Sequence, residues 1–317
     1  MSDLVLNTAI GNYGHTNSLK DGTLTSPRFV MEHVKVSPVP MIFRRMVRNL
    51  EFDVAEMALA TYICARAHGK AFTGLPVFVT RSFYHAGIAV NVNSGITSPA
   101  DLAGHRVGVR SYTFTPGVWT RGILQTAYGL DLESVRWVIT GDEHVAEYEA
   151  PPNVEYVANS NDSPSGASDD LASMLISGEI DAAIGSGAIS SPEVQPLFPE
   201  PAESDAQWFN EFGIYPISHM LVVKDEQLEA NPWLSSELYS LFDRAKNTYL
   251  QYLSSEVSLS PADEAVRKMG QIVGGDPLPF GLESSHKTME AFIQFTVDQK
   301  IIPQTITPGE LFPTSTH

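Results

Sequence analysis

The sequence predicts a two-lobed α/β protein, and three observations carry that expectation. Its 317 residues exceed what one small core organises, so two lobes is the natural arrangement. Short apolar strands alternate with helix-period stretches, which favours largely parallel sheets. Two long extended segments, 85–92 and 213–223, bracket the middle third. A chain that crosses between lobes at those two places builds one lobe from residues 1–91 plus 213–317 and the other from 92–212. In such folds the ligand site is expected at the strand C-termini, in a central cleft between the lobes.

The elements follow in order. "LVLNTAI" (4–10) reads as the first strand, followed by the turn "GNYGHTN" and a second strand, "EHVKV" (32–36). In "VPMIFRRMVRNL" (39–50) Ile42, Met46, Val47 and Leu50 recur at helical spacing, while Arg44, Arg45 and Arg48 take the solvated side. "FDVAEMALATYICARAHG" begins as a strand and becomes a helix that stops at Gly69. "LPVFVT" (75–80) is a buried strand, and the first extended segment follows it. Ser98, Pro99 and Asp101 open a short capped helix. "RVGVR" (106–110) is a strand feeding a loop and then a helix that opens near Pro116 and ends at Gly129. "VRWVIT" and "VEYV" are strands around an acidic loop, 142–149. A turn-rich loop, 158–170, caps the helix "DLASMLISG", and "EIDAAIGSG" is a strand ending in glycines. "GIYPISHMLVVK" (213–224) mirrors the segment near residue 88, and the chain beyond it is mostly helical.

Composition excludes several classes. Twenty basic residues against 37 acidic ones leave a formal charge of −17, which repels nucleic acid and anionic lipid, so neither is an expected partner. The lone cysteine, Cys64, forms no intrachain disulfide and lies in an apolar stretch, as a buried inert thiol does. No apolar run reaches membrane-span length, and the N-terminal residues lack the pattern of a secretion signal, so a cytoplasmic protein is expected. There is no Rossmann glycine fingerprint, P-loop, H-E-x-x-H or cysteine metal motif. The apolar helix faces within 233–253 suit a homo-oligomer and equally a core.

The stretches "FRRMVRNLEFDVAEMALATYICA", "LPVFVTRSFYHAGIAVNVNSGITSPADLAGHRVGV", "GVWTRGILQTAYGL", "GIYPISHMLVV", "NPWLSSELYSLF" and "DPLPFGLESSHKTMEAFIQF" together resemble the 4,5-dihydroxyphthalate decarboxylase family, in the same order and nearly end to end. The resemblance implies a type 2 periplasmic-binding-protein-like fold in an enzyme that decarboxylates a hydroxylated aromatic acid, with a small aromatic carboxylate as its partner. The chain also departs from the family. Asn12, Gly14, His15 and Asn17 stand where the family usually has acidic and arginine residues, and Tyr84 and Gly187 stand near positions where it often has arginine. Two carboxylates are usually held by bidentate arginines, so these departures point to a diverged member with a less anionic substrate.

Loss of CO2 from such an acid needs a proton on the carbon that bears the carboxylate, a group that orients the carboxylate, and a base or metal at the phenol. The ring hydroxyl supplies the electron density, so no cofactor is required in principle; a divalent metal is compatible with the chemistry. His85 is the first choice for the acid, at the start of a strand on which Gly87 and Ala89 share its face and leave room for a ligand. The structural alternative is a histidine hydrogen-bonded at a strand end, and His219, on the second extended segment, carries the same two readings. Glu56 follows a strand end as a candidate phenol partner, and Asp53 is read as a helix cap. Arg81 is a candidate carboxylate clamp or a surface ion pair, with Tyr84 beside it. Tyr112, Thr113 and Thr115 precede a helix and form a candidate anion site, with N-capping by Thr115 as the other reading. His15, in the Gly-rich turn, is a candidate substrate contact, and whether it replaces a lost arginine is open. His15, His85, His219 and Glu56 make a candidate metal set with no motif behind it. Trp119 reads as core, and the remaining histidines as solvated or structural. The competing functions are a solute-binding protein without catalysis and another carbon–oxygen lyase on the same scaffold, similar to the menaquinone-pathway enzymes that dehydrate chorismate.

Overall fold

Two mixed sheets organise the chain, one of five strands and one of six. In the computed structural model the described residues are 4–157, 166–255 and 258–316. The loop expected at 158–170 falls largely outside them, as does His317. In chain order the strands are β1 Val5–Ala9, β2 Val30–His33, β3 Val54–Ala58, β4 Phe72–Arg81, β5 Ile88–Asn91, β6 Arg106–Val109, β7 Arg136–Ile139, β8 Val154–Tyr156, β9 Ala182–Ile184, β10 Val194–Pro196 and β11 Ile217–Lys224. The helices are α1 Asn17–Lys20, α2 Pro40–Asn49, α3 Leu59–Ala67, α4 Thr115–Tyr128, α5 Gly166–Ser177, α6 Pro201–Phe212, α7 Asp225–Ala230, α8 Leu234–Leu253, α9 Pro261–Val273 and α10 Leu282–Asp298.

The chain separates into two units, Met1–Arg81 with Ile217–Met289 and Ile306–His317, and Ser82–Pro216 with Glu290–Thr305. The expected boundaries at 91/92 and 212/213 therefore move, and the chain passes between units four times rather than twice. Hydrogen bonding and packing explain the shift. β5 pairs with β9 (Ile88 opposite Ile184) and β10 (Ala89 opposite Pro196), which draws 82–91 into the second unit. Phe292 and Phe295 pack on Trp119 with ring centroids 4.6 and 5.8 Å apart, which draws in 290–305. Gly122 makes that approach possible, because a Cβ there would fall 2.1 Å from the Phe295 ring.

In the first unit the order is β2-β1-β3-β11-β4, with β1 parallel to both neighbours and β11 antiparallel to β3 and β4. β3 is buried along its whole length, as a central strand covered on both faces must be. α2 buries Ile42, Phe43, Met46 and Val47 and leaves its arginines outward, as its spacing predicts. In the second unit the order is β10-β5-β9-β6-β7-β8, with β9, β6, β7 and β8 mutually parallel and β5 antiparallel to β9 and β10. Gly129 ends α4 at φ 67°, a left-handed position that glycine takes without strain.

Local readings change too. His85 does not open a strand: His85–Gly87 form a 3-10 turn, and β5 begins at Ile88. β2 lies at 30–33 rather than 32–36. Glu56 sits in the middle of β3, not beyond a strand end. Asp53 caps no helix; its Oδ2 accepts the Asn7 N–H at 2.8 Å and its Oδ1 accepts Gln227 Nε2 at 3.1 Å.

Candidate functional site

In the first unit a buried carboxylate organises a polar cluster. Glu56 on β3 is 0% exposed. Its Oε1 lies 2.6 Å from His219 Nδ1 and accepts the Tyr13 hydroxyl at 2.6 Å, while Oε2 accepts the Gly11 N–H at 2.7 Å. The sheet register produces the first contact. Leu221 lies opposite Glu56 and His219 opposite Ala58, so His219 is the diagonal same-face neighbour of Glu56. Burial pushes the Glu56 carboxyl up, but His219, the Tyr13 hydroxyl and the Gly11 N–H outweigh it and hold the carboxyl below its ordinary value. Burial and the neighbouring Glu56 push the Tyr13 phenol far up, so it remains a proton-bearing donor.

The turn after β1 supplies the other half. Lys20 Nζ donates to Ile10 O at 2.9 Å, Gly11 O at 2.6 Å and Asn12 Oδ1 at 2.6 Å, pinning residues 10–12 from below. Thr16 closes the turn, its Oγ1 accepting the Tyr13 N–H at 3.1 Å. Both glycines are dictated by close approach: a Cβ on Gly11 would fall 2.6 Å from the Tyr13 hydroxyl, and one on Gly14 would fall 2.1 Å from the Tyr249 ring. His15 lies in this turn, 4% exposed, stacked on Tyr13 at 5.5 Å and flanked by Tyr249 and Phe280. Burial drives its pKa down to about 4, Lys246 adding to the effect and Glu56 and a bond to the Val79 backbone opposing it. His15 is therefore neutral above that range and replaces no arginine cation. His219 is a part-exposed member of the cluster, its side chain 24% exposed and its ring edge-on to Phe43 at 4.9 Å.

Of the candidates, Glu56, His219 and His15 come together here, joined by Tyr13. Arg81, in the same unit, directs Nη2 to Pro279 O at 3.0 Å and Ser285 Oγ at 2.5 Å, which makes it an anchor for the start of α10.

The second unit holds the remaining candidates. His85 pairs through Nδ1 with Asp205 Oδ1 at 2.6 Å, and its backbone N–H reaches the same oxygen at 3.3 Å. Its side chain is 1% exposed, set edge-on to Phe198, and its Nε2 is buried without a partner. Tyr84 is buried just before the turn. The expected anion site at 112–115 is already filled by a carboxyl group of the protein's own. Glu143 accepts the Tyr112 N–H at 2.5 Å, the Thr113 N–H at 3.1 Å and the Thr113 hydroxyl at 2.5 Å. Thr115 is the first residue of α4, not its cap; the cap position is Phe114, which has no side-chain oxygen to offer. Beside them Arg121 is fully buried, donating to Tyr112 O at 2.5 Å and Gln299 at 2.8 Å, with its guanidinium 4.1 Å over the Tyr112 ring.

Sequence reasoning missed Tyr13, Lys20, Asp205, Glu143 and Arg121. For Tyr13 a signal exists in "GNYG", where two glycines leave space for large neighbours; for Arg121 it is a lone cation inside an apolar helix. Asp205 and Glu143 carry none, because their partners are 120 and 30 residues away. Among the described residues no group of three or more His, Cys, Asp or Glu is placed to hold a metal ion, and the candidate metal set divides between the units. His33, His68 and His105 make bonds within the protein, to Leu19 O, Cys64 O and Asp181. Among the described residues no helix is long and apolar enough to cross a membrane.

No family model matches the chain. A 4,5-dihydroxyphthalate decarboxylase of Comamonas testosteroni is 30% identical over 98% of this chain and 97% of its own. A second protein of that name, from Pseudomonas putida, is 33% identical over 66% of this chain and 83% of its own. Among solved structures the periplasmic aliphatic sulphonate binding protein SsuA from Escherichia coli aligns with a TM-score of 0.54 at 14% identity, covering 99% of both chains. That likeness shows a periplasmic-binding-protein-like fold and nothing about ligand.

Proposed function

The chain belongs to the 4,5-dihydroxyphthalate decarboxylase family, and we propose that it removes CO2 from a hydroxylated aromatic acid with His219 as proton donor and Glu56 as its partner. One observation carries the choice of residues: a fully buried carboxylate kept ionised against burial, 2.6 Å from the Nδ1 of a part-exposed histidine. Glu56 holds the Nδ1–H tautomer and orients the ring, which leaves Nε2 for the substrate. Protonated His219 donates its Nε2 proton to the ring carbon as the bond from that carbon to the carboxylate breaks. The electron pair of that bond stays with the carbon and forms the new C–H bond, CO2 leaves, and the imidazole returns to its neutral form. Glu56 stabilises the imidazolium that precedes the transfer. Tyr13 and the Gly11 N–H keep the carboxylate in place without neutralising it.

His85 ranks second in this reading because its ring is 1% exposed and its turn depends on Asp205. A substrate less anionic than 4,5-dihydroxyphthalate is supported by the neutrality of His15 and by Lys20 and Arg81 directing donors to the protein's own oxygens. The test is CO2 release from a panel of mono- and dicarboxylated catechols, with and without chelator, by the wild type and His219→Asn. Turnover by the wild type that collapses in the variant is the expected result. Tight reversible binding with no turnover on any acid overturns the reading in favour of a solute-binding protein.

A further inference from the structure

The first unit holds a cavity of about 440 Å³, within the range of about 300–1,000 Å³ usual for small-molecule pockets. One stretch of chain builds it, from Leu19 to His33, and Leu19, Leu24, Phe29 and Met31 give it apolar walls. Its charged groups are already satisfied. Lys20 commits its three ammonium hydrogens to Ile10 O, Gly11 O and Asn12 Oδ1. Asp21 is exposed and accepts the Thr23 N–H at 2.8 Å. His33, also in the wall, differs. Its Nε2 lies 3.2 Å from Leu19 O, and a carbonyl only accepts, so Nε2 carries the hydrogen. In the neutral ring Nδ1 is then an acceptor, and that atom is buried without a hydrogen-bond partner. Burial favours the neutral ring, the Lys20 charge adding to the effect and the Leu19 bond opposing it. A buried acceptor left unpaired is costly, and a donor brought to it recovers that cost.

We propose that this cavity binds a small neutral molecule with an apolar body and one N–H or O–H donor, which bonds to His33 Nδ1. The inference goes beyond the decarboxylase reading and does not depend on it. The walls set the ligand class. An anion finds no uncommitted hydrogen on Lys20 and meets a lone pair at Nδ1, so a carboxylate does not suit the site. A molecule without a donor covers the apolar walls but leaves Nδ1 unpaired. Because Nδ1 is covered, a neighbour has to turn aside for the donor to reach it. Met31 is that neighbour: it stands two residues before His33 on the same face of β2 and lines the cavity with it. Its unbranched side chain turns about three bonds, which makes the adjustment small.

The experiment titrates the full chain with indole, whose one polar hydrogen is its N–H, and with 1-methylindole, which has none. The wild type is compared with His33→Phe, which keeps an aromatic ring and removes the nitrogen. The wild type is expected to prefer indole by about tenfold, the scale of one buried hydrogen bond, and the variant to show a preference below about twofold. In parallel the ¹⁵N resonance of His33 Nδ1 is followed in wild-type protein, which keeps the test valid if the variant does not fold. It is expected to move with indole and to stay in place with 1-methylindole and with benzoate. No indole binding by the wild type, the same preference in both proteins, or a resonance unmoved by indole overturns the inference. A resonance moved by benzoate overturns the neutral ligand class. None of these readouts involves CO2 release, so the outcome stands apart from that of the decarboxylase reading.

Discussion

Glu56 and His219 stand on neighbouring antiparallel strands two register positions apart, and their Oε1 and Nδ1 atoms meet at 2.6 Å. The pairing is a property of the sheet: a shift of one residue between β3 and β11 would turn the two side chains to opposite faces. β3 is buried along its whole length and β11 at six of its eight residues, so the register is held by the core rather than by the ion pair.

Glu56→Gln should keep the fold, by circular dichroism, and lower kcat by about 10²–10⁴-fold, the range for a positioned acid–base group. An amide does not stabilise an imidazolium, and its single oxygen cannot take both the Gly11 N–H, now on Oε2, and the Tyr13 hydroxyl, now on Oε1. Steady-state CO2 release checks this, and a near-native kcat would remove Glu56 from the chemistry.

Gly14→Ala should destabilise the first unit by about 1–3 kcal/mol, the cost of overpacking, because the new Cβ would fall 2.1 Å from the Tyr249 ring. Gly11→Ala should instead act on Tyr13, whose hydroxyl would be 2.6 Å from the added carbon, and loosen its bond to Glu56. Urea titrations of both variants, with kcat for the second, separate packing from positioning.

Glu143→Ala should cost about 1–3 kcal/mol, since it leaves the buried Tyr112 N–H, Thr113 N–H and Thr113 hydroxyl without their acceptor. Burial raises the Glu143 carboxyl, while Thr113, Tyr112 and Arg121 pull it back. A midpoint shift in urea unfolding is the measurement, and an unchanged midpoint would show that the cluster carries no stability.

Acid should weaken the fold through His15. Its pKa is about 4 folded against 6.5 as its ordinary value, so between those values the unfolded chain binds a proton that the folded chain refuses. Stability is complete above the higher value and falls as pH drops toward the lower, by about 3 kcal/mol in all. The lowered Glu56 carboxyl acts in the same direction, its contribution being lost as pH falls through its folded pKa. His15→Phe should flatten the unfolding free energy over this window; an unaltered slope would place the acid sensitivity elsewhere.

What was legible in the sequence was local or periodic. The alternation of apolar strands with helices such as "VPMIFRRMVRNL" and the helix stops at Gly129 and just before Gly69 depend on neighbours within a few residues, and so can be read from one chain. Glu56, His219 and His15 were also visible as candidates, because polar groups inside apolar strands and Gly-rich turns stand out. Tertiary structure decided which of them act together. The diagonal of β3 and β11 joins residues 163 positions apart, and the bond from Tyr13 to Glu56 spans 43. It also withdrew readings that local pattern favoured. His85 left the strand because Asp205, 120 residues on, takes both its backbone N–H and its ring. The helix-start amides at Tyr112 and Thr113 were filled from Glu143. Periodicity along a chain reports which face is buried, but the partner of a buried polar group is set by register and packing between distant segments, and that information exists only once the chain has folded.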